Sequence, residues 1–445
     1  MVAQVTRLFG TDGVRGRAND DLMPELALAL GRAAAETLVS RGGRVIVGRD
    51  TRVSGPMLEG ALAAGFAASG ADVFLAGIIP TPAISFLIKD ERADLGAVIS
   101  ASHNPPGDNG IKFFDRRGMK LSVQEEEAVE TRLQRPSTPR GAVGWIGALD
   151  AAASRYAAFL TGTIESEEVD LAGHTIVVDC AYGATGAIAP RVLRHFNAEI
   201  IALHAEPEGE RINQECGSTH LGPLRDAVLR HGAALGIAFD GDGDRVLLVA
   251  SNGEVIDGDR MMGIAALHRH RKGLLDPPLV VATVMTNLGL ERALAREGIE
   301  LVRTAVGDRN VSQEMRDRRA KIGGEQSGHI VFSDHSPTGD GILTAVKLLE
   351  IAHERGRDLL DLASEIPLWP QVLRNVEAKN PAELLDAPSV RTAIETEQAR
   401  LGDRGRLLVR ASGTQPLIRV MVEADETALC EQVAQAIVEA IRRAS

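Results

Sequence analysis

At 445 residues the chain exceeds what one hydrophobic core organises, so three or four domains are expected, with room for a buried site among them. Its 49 Lys and Arg against 61 Asp and Glu leave a net charge of −12, which excludes a general nucleic-acid or anionic-membrane binder and requires any anionic ligand to be held by local arginines. Cys180, Cys216 and Cys430 are widely spaced and form no Cys-x-x-Cys pair, which fits a reducing cytoplasm; residues 1–10 lack the apolar core of an export signal, and the most apolar stretch, 60–88, is interrupted by Asp72, Pro80 and Pro82.

From residue 24 to 40, Leu26, Leu30, Ala33, Ala34 and Leu38 recur at helical spacing, and Gly42 suits the position past a helix end. A strand over 44–47, a helix over 56–68 and strands over 71–76 and 95–99 follow. The order repeats as strand 174–180, helix 187–195, strand 199–203, and again as strand 278–284, helix 288–297, strand 299–303. Strand alternating with helix is α/β architecture. The tail differs: two strand-like runs, 406–409 and 417–422, flank a Ser-Gly-Thr turn and precede an amphipathic helix over 426–441, which reads as a small α+β domain. Polar or turn-forming stretches divide the chain into 1–150, 151–253, 254–370 and 371–445, with a repeated order of elements but no strict sequence repeat.

The apolar run 95–99 ends in Ser100-Ala-Ser-His-Asn-Pro105, which puts the Ser102 hydroxyl on a loop at the end of a buried strand, where α/β sheets place chemistry. Ser, His, Asn and Pro are also ordinary turn residues, so a plain loop remains open. Lys112 is near enough in sequence to reach back to a proton or a phosphate oxygen, and His103 is a rival acid or base. In Asp240-Gly-Asp-Gly-Asp-Arg245, three carboxylates brought close would repel one another without a cation, and an all-oxygen set favours Mg2+. An EF-hand is ruled out because Arg245 and Ser251 stand where Gly and Glu are needed; a solvated acidic turn is the plainer alternative. Arg15, in the loop 10–16, and Arg49 and Arg52 carry guanidinium forks suited to phosphate, the latter pair equally to structural ion pairs. Gly323-Gly-Glu-Gln-Ser-Gly-His329 suits the reading of sugar hydroxyls. Arg410-Ala-Ser-Gly-Thr-Gln415, with Arg419 nearby, suits an anion nest or a polar hairpin turn. The serine and the aspartates together point to metal-assisted phosphoryl transfer through a serine.

These loops in this order resemble the α-D-phosphohexomutase superfamily over nearly the whole chain, one motif per domain. Phe9-Gly-Thr-Asp-Gly-Val-Arg-Gly16, Asn213-Gln-Glu-Cys-Gly-Ser-Thr-His220 and Gly324-Glu-Gln-Ser-Gly-His329 are similar to its amino-sugar branch. The resemblance implies three related α/β domains with mixed sheets and a C-terminal α+β domain of the TATA-binding-protein-like type around a central cleft. It implies interconversion of glucosamine 6-phosphate and glucosamine 1-phosphate through a phosphorylated Ser102 and a bisphosphorylated sugar, with glucose or mannose phosphates as the alternative substrates. Ser102, Asp240, Asp242 and Asp244 would then hold one Mg2+ per subunit, and Lys112, Arg15 and His103 would assist transfer. Arg245, Asp308, Glu325, Ser327 and His329 would meet the sugar, while Arg410, Ser412, Gly413, Thr414 and Arg419 would take its distal phosphate. A hexosamine or hexose 1,6-bisphosphate activator, a cytoplasmic location and a homodimer are also implied, with neither nucleic acid nor membrane as partner. Departures are Tyr182, Asn310, Ala411 and Gln415, where Asn, Tyr, Pro and Glu are usual in the family.

Overall fold

The expected alternation of apolar strands and helices is realised in the computed structural model, which describes residues 7–10, 12–135, 141–166, 169–412 and 416–444. The chain forms two compact units, one of residues 1–284 and 301–363, the other of 285–300 and 364–445. Among the described residues no helix is long and apolar enough to cross a membrane.

The first unit holds three mixed sheets. In the six-stranded sheet, Arg44–Arg49 lies parallel to both Asp72–Ile78 and Leu95–Ile99, and Leu95–Ile99 runs antiparallel to Asp108–Asp115. Strand 95–99 is buried at every position, as its unbroken apolar run requires. Helices Pro24–Leu38 and Gly55–Ala68 bury their Ala, Leu and Phe side chains in one core with these strands. In the five-stranded sheet, Thr175–Asp179 is parallel to Glu199–Leu203 and to Leu235–Phe239, and the last turns back antiparallel into Val246–Ala250. In the four-stranded sheet, Leu279–Thr283 is parallel to Ile322–Gly324, which turns back antiparallel into Ile330–Phe332.

The three sheets thus share one device: a strand parallel to its neighbour, a polar loop, and an antiparallel return. Residues 100–107, 240–245 and 325–329 are those loops, so each sheet delivers its polar motif from the carboxyl end of an equivalent strand. The second unit has a three-stranded antiparallel sheet in which Gly405–Ala411 and Leu417–Ala424 form the hairpin, backed by Pro388–Leu401 and Thr427–Ala444. The expected helix over 187–195 is shorter, Ala189–Leu193 followed by a tighter turn at Arg194–Phe196, because Asn197 then takes a left-handed conformation that ends it.

Helix Gly341–Arg355 fixes part of the site from below. The Gly341 N–H donates to the carbonyl of Gly243 at 3.0 Å, docking the helix start on the aspartate loop. Asp340 caps this helix, accepting the Leu343 N–H at 2.9 Å, and accepts the Tyr156 hydroxyl at 2.8 Å from helix Ala152–Gly162. Burial pushes the Asp340 carboxyl up to about 6, so the stability contributed by its protonated form is full below about pH 4 and lost as pH rises through 6. We expect the unfolding free energy of the native protein, relative to Asp340→Asn, to fall by about 3 kcal/mol between pH 4 and 7. Urea titrations of both proteins across that range check it; a pH-independent difference contradicts the assignment.

Candidate active site

Ser102 adopts a left-handed conformation, φ 52°, a strained state for a non-glycine residue that its surroundings must enforce. Its N–H donates to Ser100 Oγ at 2.9 Å, and that hydroxyl donates to Asp50 at 2.6 Å. The fully buried Arg52 donates Nε to Asp50 at 3.0 Å and spends its terminal nitrogens on the carbonyls of Ser102, Asn104 and Asp108 at 3.1, 2.8 and 2.8 Å, and on that of Pro105. Asn213 reaches the same loop, donating its amide to Ser102 and Asn104 at 2.8 and 3.1 Å. Arg52 is therefore a structural clamp, and Arg49, 3.2 Å from Glu59, makes an ion pair of its own; neither takes the phosphate-holding reading.

The clamped loop carries the Ser102 hydroxyl, 1% exposed, into the aspartate loop, where Oγ donates to Asp240 at 2.6 Å. Asp240, Asp242 and Asp244 are 0%, 0% and 4% exposed, which removes the reading of a solvated turn. One carboxylate oxygen from each lies within 4.8 Å of the others. Lys112 comes from the return strand 108–115 with its ammonium 3.0 Å from Asp242, 3.1 Å from Asp12 and 3.7 Å from Asp244. Thr81 donates its hydroxyl to Asp242 at 2.6 Å.

Burial, then the charges of Asp244 and Asp242, raise the Asp240 carboxyl well above its usual range. At Asp242 burial also opposes ionisation, but Lys112 and the Thr81 hydroxyl outweigh it and hold that carboxyl below its usual value. Burial likewise opposes the Lys112 charge, yet Asp12, Asp242 and Asp244 together push it upward, so Lys112 is a fixed cation at neutral pH. Asp242 Oδ1 and Asp244 Oδ1 are buried and have no hydrogen-bond donor. Orphaned oxygens in an oxygen-only set with surplus negative charge fit a small hard divalent cation such as Mg2+.

A cavity of about 370 Å3 opens beside this cluster, with Arg15, His103, Asp244, Arg245, Asp308, Glu325 and His329 on its wall. His103 Nδ1 lies 3.3 Å from Ser102 Oγ; burial, followed by Arg245 and Arg15, lowers this imidazole to about 4 and keeps it neutral at pH 7. Arg15 pairs with Asp12, and Lys120 bridges Asp12 and Asp308. Glu325 accepts the Gly307 N–H at 3.0 Å. Ser327 does not line the cavity but donates to Glu325 at 3.3 Å. Both ring nitrogens of His329 are buried without a hydrogen bond, the nearer 3.8 Å from Asp308. A larger cavity of about 930 Å3 in the second unit, along Glu377–Asn380, gathers no comparable nucleophile or carboxylate cluster.

In the second unit Arg410 and Arg419 are cross-strand partners, the Ser412 N–H donates to the Leu417 carbonyl at 2.9 Å, and Arg419 Nε is buried without an acceptor. Burial and the like charge of Arg419 lower the Arg410 guanidinium below its usual value. Paired guanidiniums with an unused donor suit an anion. Gly413 and Thr414 lie outside the described residues. Sequence reasoning did not single out Asp12, Thr81, Lys120 or Asn213 individually. Asp12 and Asn213 stand inside the motifs 9–16 and 213–220, but Thr81 and Lys120 have no local signal because their partners are distant in sequence.

Added Mg2+ should raise the thermal midpoint, by about 2.7 kcal/mol of stability at a free concentration 100 times its Kd. Asp242→Asn and Asp244→Asn should remove most of that rise in differential scanning fluorimetry; an undiminished rise in both would place the cation elsewhere.

The chain matches four family models in sequence: phosphoglucomutase/phosphomannomutase alpha/beta/alpha domain I at residues 6–140, domain II at 154–253, domain III at 257–368 and the C-terminal domain at 373–440. It is 48% identical to a phosphoglucosamine mutase of Salinispora arenicola and 49% to that of Salinispora tropica, in each case over 99% of both chains. The phosphoglucosamine mutase of Carboxydothermus hydrogenoformans is 47% identical over 98% of this chain and 99% of its own. A phosphoglucomutase/phosphomannomutase family protein of Burkholderia thailandensis superposes with a TM-score of 0.84 at 27% identity, covering 98% of this chain and 97% of that one. The N-acetylphosphoglucosamine mutase of Aspergillus fumigatus, solved with GlcNAc-6P and magnesium, shares the fold at a TM-score of 0.68 and 18% identity, over 98% of this chain and 96% of that one.

Proposed function

The chain belongs to the phosphoglucomutase/phosphomannomutase family, and from that premise we propose that it is a phosphoglucosamine mutase, an isomerase interconverting glucosamine 6-phosphate and glucosamine 1-phosphate. The observation that carries the reading is Ser102 Oγ, buried and 2.6 Å from Asp240, beside two orphaned carboxylate oxygens and the wall of a polar cavity. The amino-sugar preference is supported by relatives of 45–49% identity that bear this name over nearly their full length.

Phosphorylated Ser102 gives its phosphoryl group to the free hydroxyl of the bound sugar phosphate: the Oγ–P bond breaks, a sugar O–P bond forms, and the hydroxyl proton must leave. The neutral imidazole of His103, with Nδ1 3.3 Å from Ser102 Oγ, would accept that proton, while Lys112, locked as a cation, would offset charge on the transferring oxygens. The bisphosphorylated sugar then turns and returns its other phosphoryl group to Ser102. Asp240, Asp242 and Asp244, with the serine phosphate, would hold Mg2+, whose bound form supplies further neutralisation of phosphoryl charge. Arg15 and Arg245 would steer the phosphate; Asp308, Glu325 with Ser327 behind it, and the unpartnered nitrogens of His329 would read the ring hydroxyls. Arg410, Ser412, Gly413, Thr414 and Arg419 would bind the phosphate that is not being transferred. Burial of Ser102 serves to keep water from the phosphoserine. Activation by a hexosamine or hexose 1,6-bisphosphate, a cytoplasmic setting and a homodimer complete the proposal.

With Mg2+ and a trace of bisphosphate, glucosamine 6-phosphate should be turned over faster than glucose or mannose phosphates in a coupled assay, and Ser102→Ala should abolish turnover. Preference for glucose or mannose phosphate would move the activity to a sister branch. Turnover by Ser102→Ala would overturn the mechanism, and release of inorganic phosphate in place of isomer would make the protein a phosphatase.

A further inference from the structure

Away from the cavity, a second group of metal-ligating side chains comes together among the described residues: Asp179, His204 and Cys216, each offering one ligand atom within 4.8 Å of the other two. Asp179 and Cys216 are fully buried, and His204 keeps 21% of its side chain exposed. Backbone donors hold the Asp179 carboxylate in one orientation, Ala181 N–H on Oδ1 at 2.9 Å and Gly217 N–H on Oδ2 at 3.0 Å, which leaves each oxygen a further lone pair. His204 Nδ1 lies 3.0 Å from Oδ1, yet this buried nitrogen makes no hydrogen bond, so at contact distance the ring is not aimed at the carboxylate. One nitrogen, one oxygen and one sulfur donor thus lie within 4.8 Å of one another, with the imidazole and the carboxylate at ion-pair distance.

We propose that Asp179, His204 and Cys216 bind Zn2+ at a site separate from the aspartate triad. Thiolate and imidazole donors select a borderline-soft cation, whereas the oxygen-only triad selects a hard one. Three protein ligands leave a tetrahedral cation a fourth position for water, and His204 keeps part of its side chain in solvent. Binding forms S–Zn, N–Zn and O–Zn bonds; the Cys216 thiol proton passes to solvent, and His204 carries its proton on Nε2. The cation ties the turn 179–182 to the turn 213–217. The latter bears Asn213, whose backbone donates to Ala181 at 3.1 Å and whose amide holds the carbonyls of Ser102 and Asn104. The site therefore stiffens the support of the nucleophile loop without entering the cavity.

The test uses the full-length protein in excess Mg2+, titrated with Co2+ as the spectroscopic probe. One equivalent should bring up a thiolate-to-cobalt charge-transfer band in the near ultraviolet, which an oxygen-only site cannot produce, and Zn2+ should displace it and raise the thermal midpoint. Cys216→Ser and His204→Gly should each lose the band and the rise. Glycine is chosen at 204 because φ is 50° there, so that variant relieves backbone strain as it removes the ligand and still decides the matter if Cys216→Ser fails to fold. Absence of the band in the native protein, or its survival in either folded variant, overturns the proposal.

Discussion

The first unit is built around buried negative charge that its own side chains do not balance. Asp240, Asp242 and Asp244 are shut from water, with the Lys112 ammonium 3.0 Å from Asp242 and 3.7 Å from Asp244 and the Arg245 guanidinium 4.0 Å from Asp244. An uncompensated buried charge costs several kcal/mol, so the surrounding elements are placed to limit the deficit. Lys112 is shared with Asp12, Thr81 spends its hydroxyl on Asp242, and the Arg245 backbone N–H is given to Asp240. What remains, two carboxylate oxygens with no donor and one carboxyl held well above its usual range, is a shortfall of positive charge that a divalent cation would suit. The same deficit makes Lys112 a poor proton carrier, which is why the proposed mechanism gives that task to a neutral imidazole.

Holding the Ser102 hydroxyl against that charge demands a rigid loop, and its rigidity comes from carbonyl groups. The turn after strand 95–99 points the carbonyls of Ser102, Asn104, Pro105 and Asp108 inward, where each needs a donor. One guanidinium meets all four, fixed in turn by Asp50, and the Asn213 amide adds a second hold on two of them. A lysine at position 52 would keep the charge but not the fork, and the strained Ser102 conformation would lose its restraint. The donors come from residues 52 and 213, which makes the Ser102 loop a joint product of two sheets.

Much of this was legible in the chain. The apolar runs 95–99 and 235–239 are strands because nothing polar interrupts them, and the polar residues that follow, from Ser100 and from Asp240, form the loops. Glycines between the aspartates announced a turn able to bring the carboxylates together, and Gly243, at φ 70°, uses that freedom. Arg52 could not be told from a phosphate ligand, since its partners are backbone carbonyls about 50 residues away and carbonyls have no sequence signature. Thr81 and Lys120 carried no signal for a related reason: each is an ordinary residue whose partner stands more than a hundred positions away, as does that of Asn213 inside the motif 213–220.

The sequence by itself determined the architecture and the chemical types at the site, because hydrophobic period, glycine placement and residue chemistry are local properties that a chain carries unfolded. It determined that a hydroxyl, three carboxylates and several guanidiniums would sit on loops at strand ends. The tertiary structure decided which of them are shut from water, which share a proton or a cation, and which merely hold the scaffold. Those outcomes depend on desolvation and on charges brought within 4 Å from remote segments, and neither quantity exists until the sheets have packed.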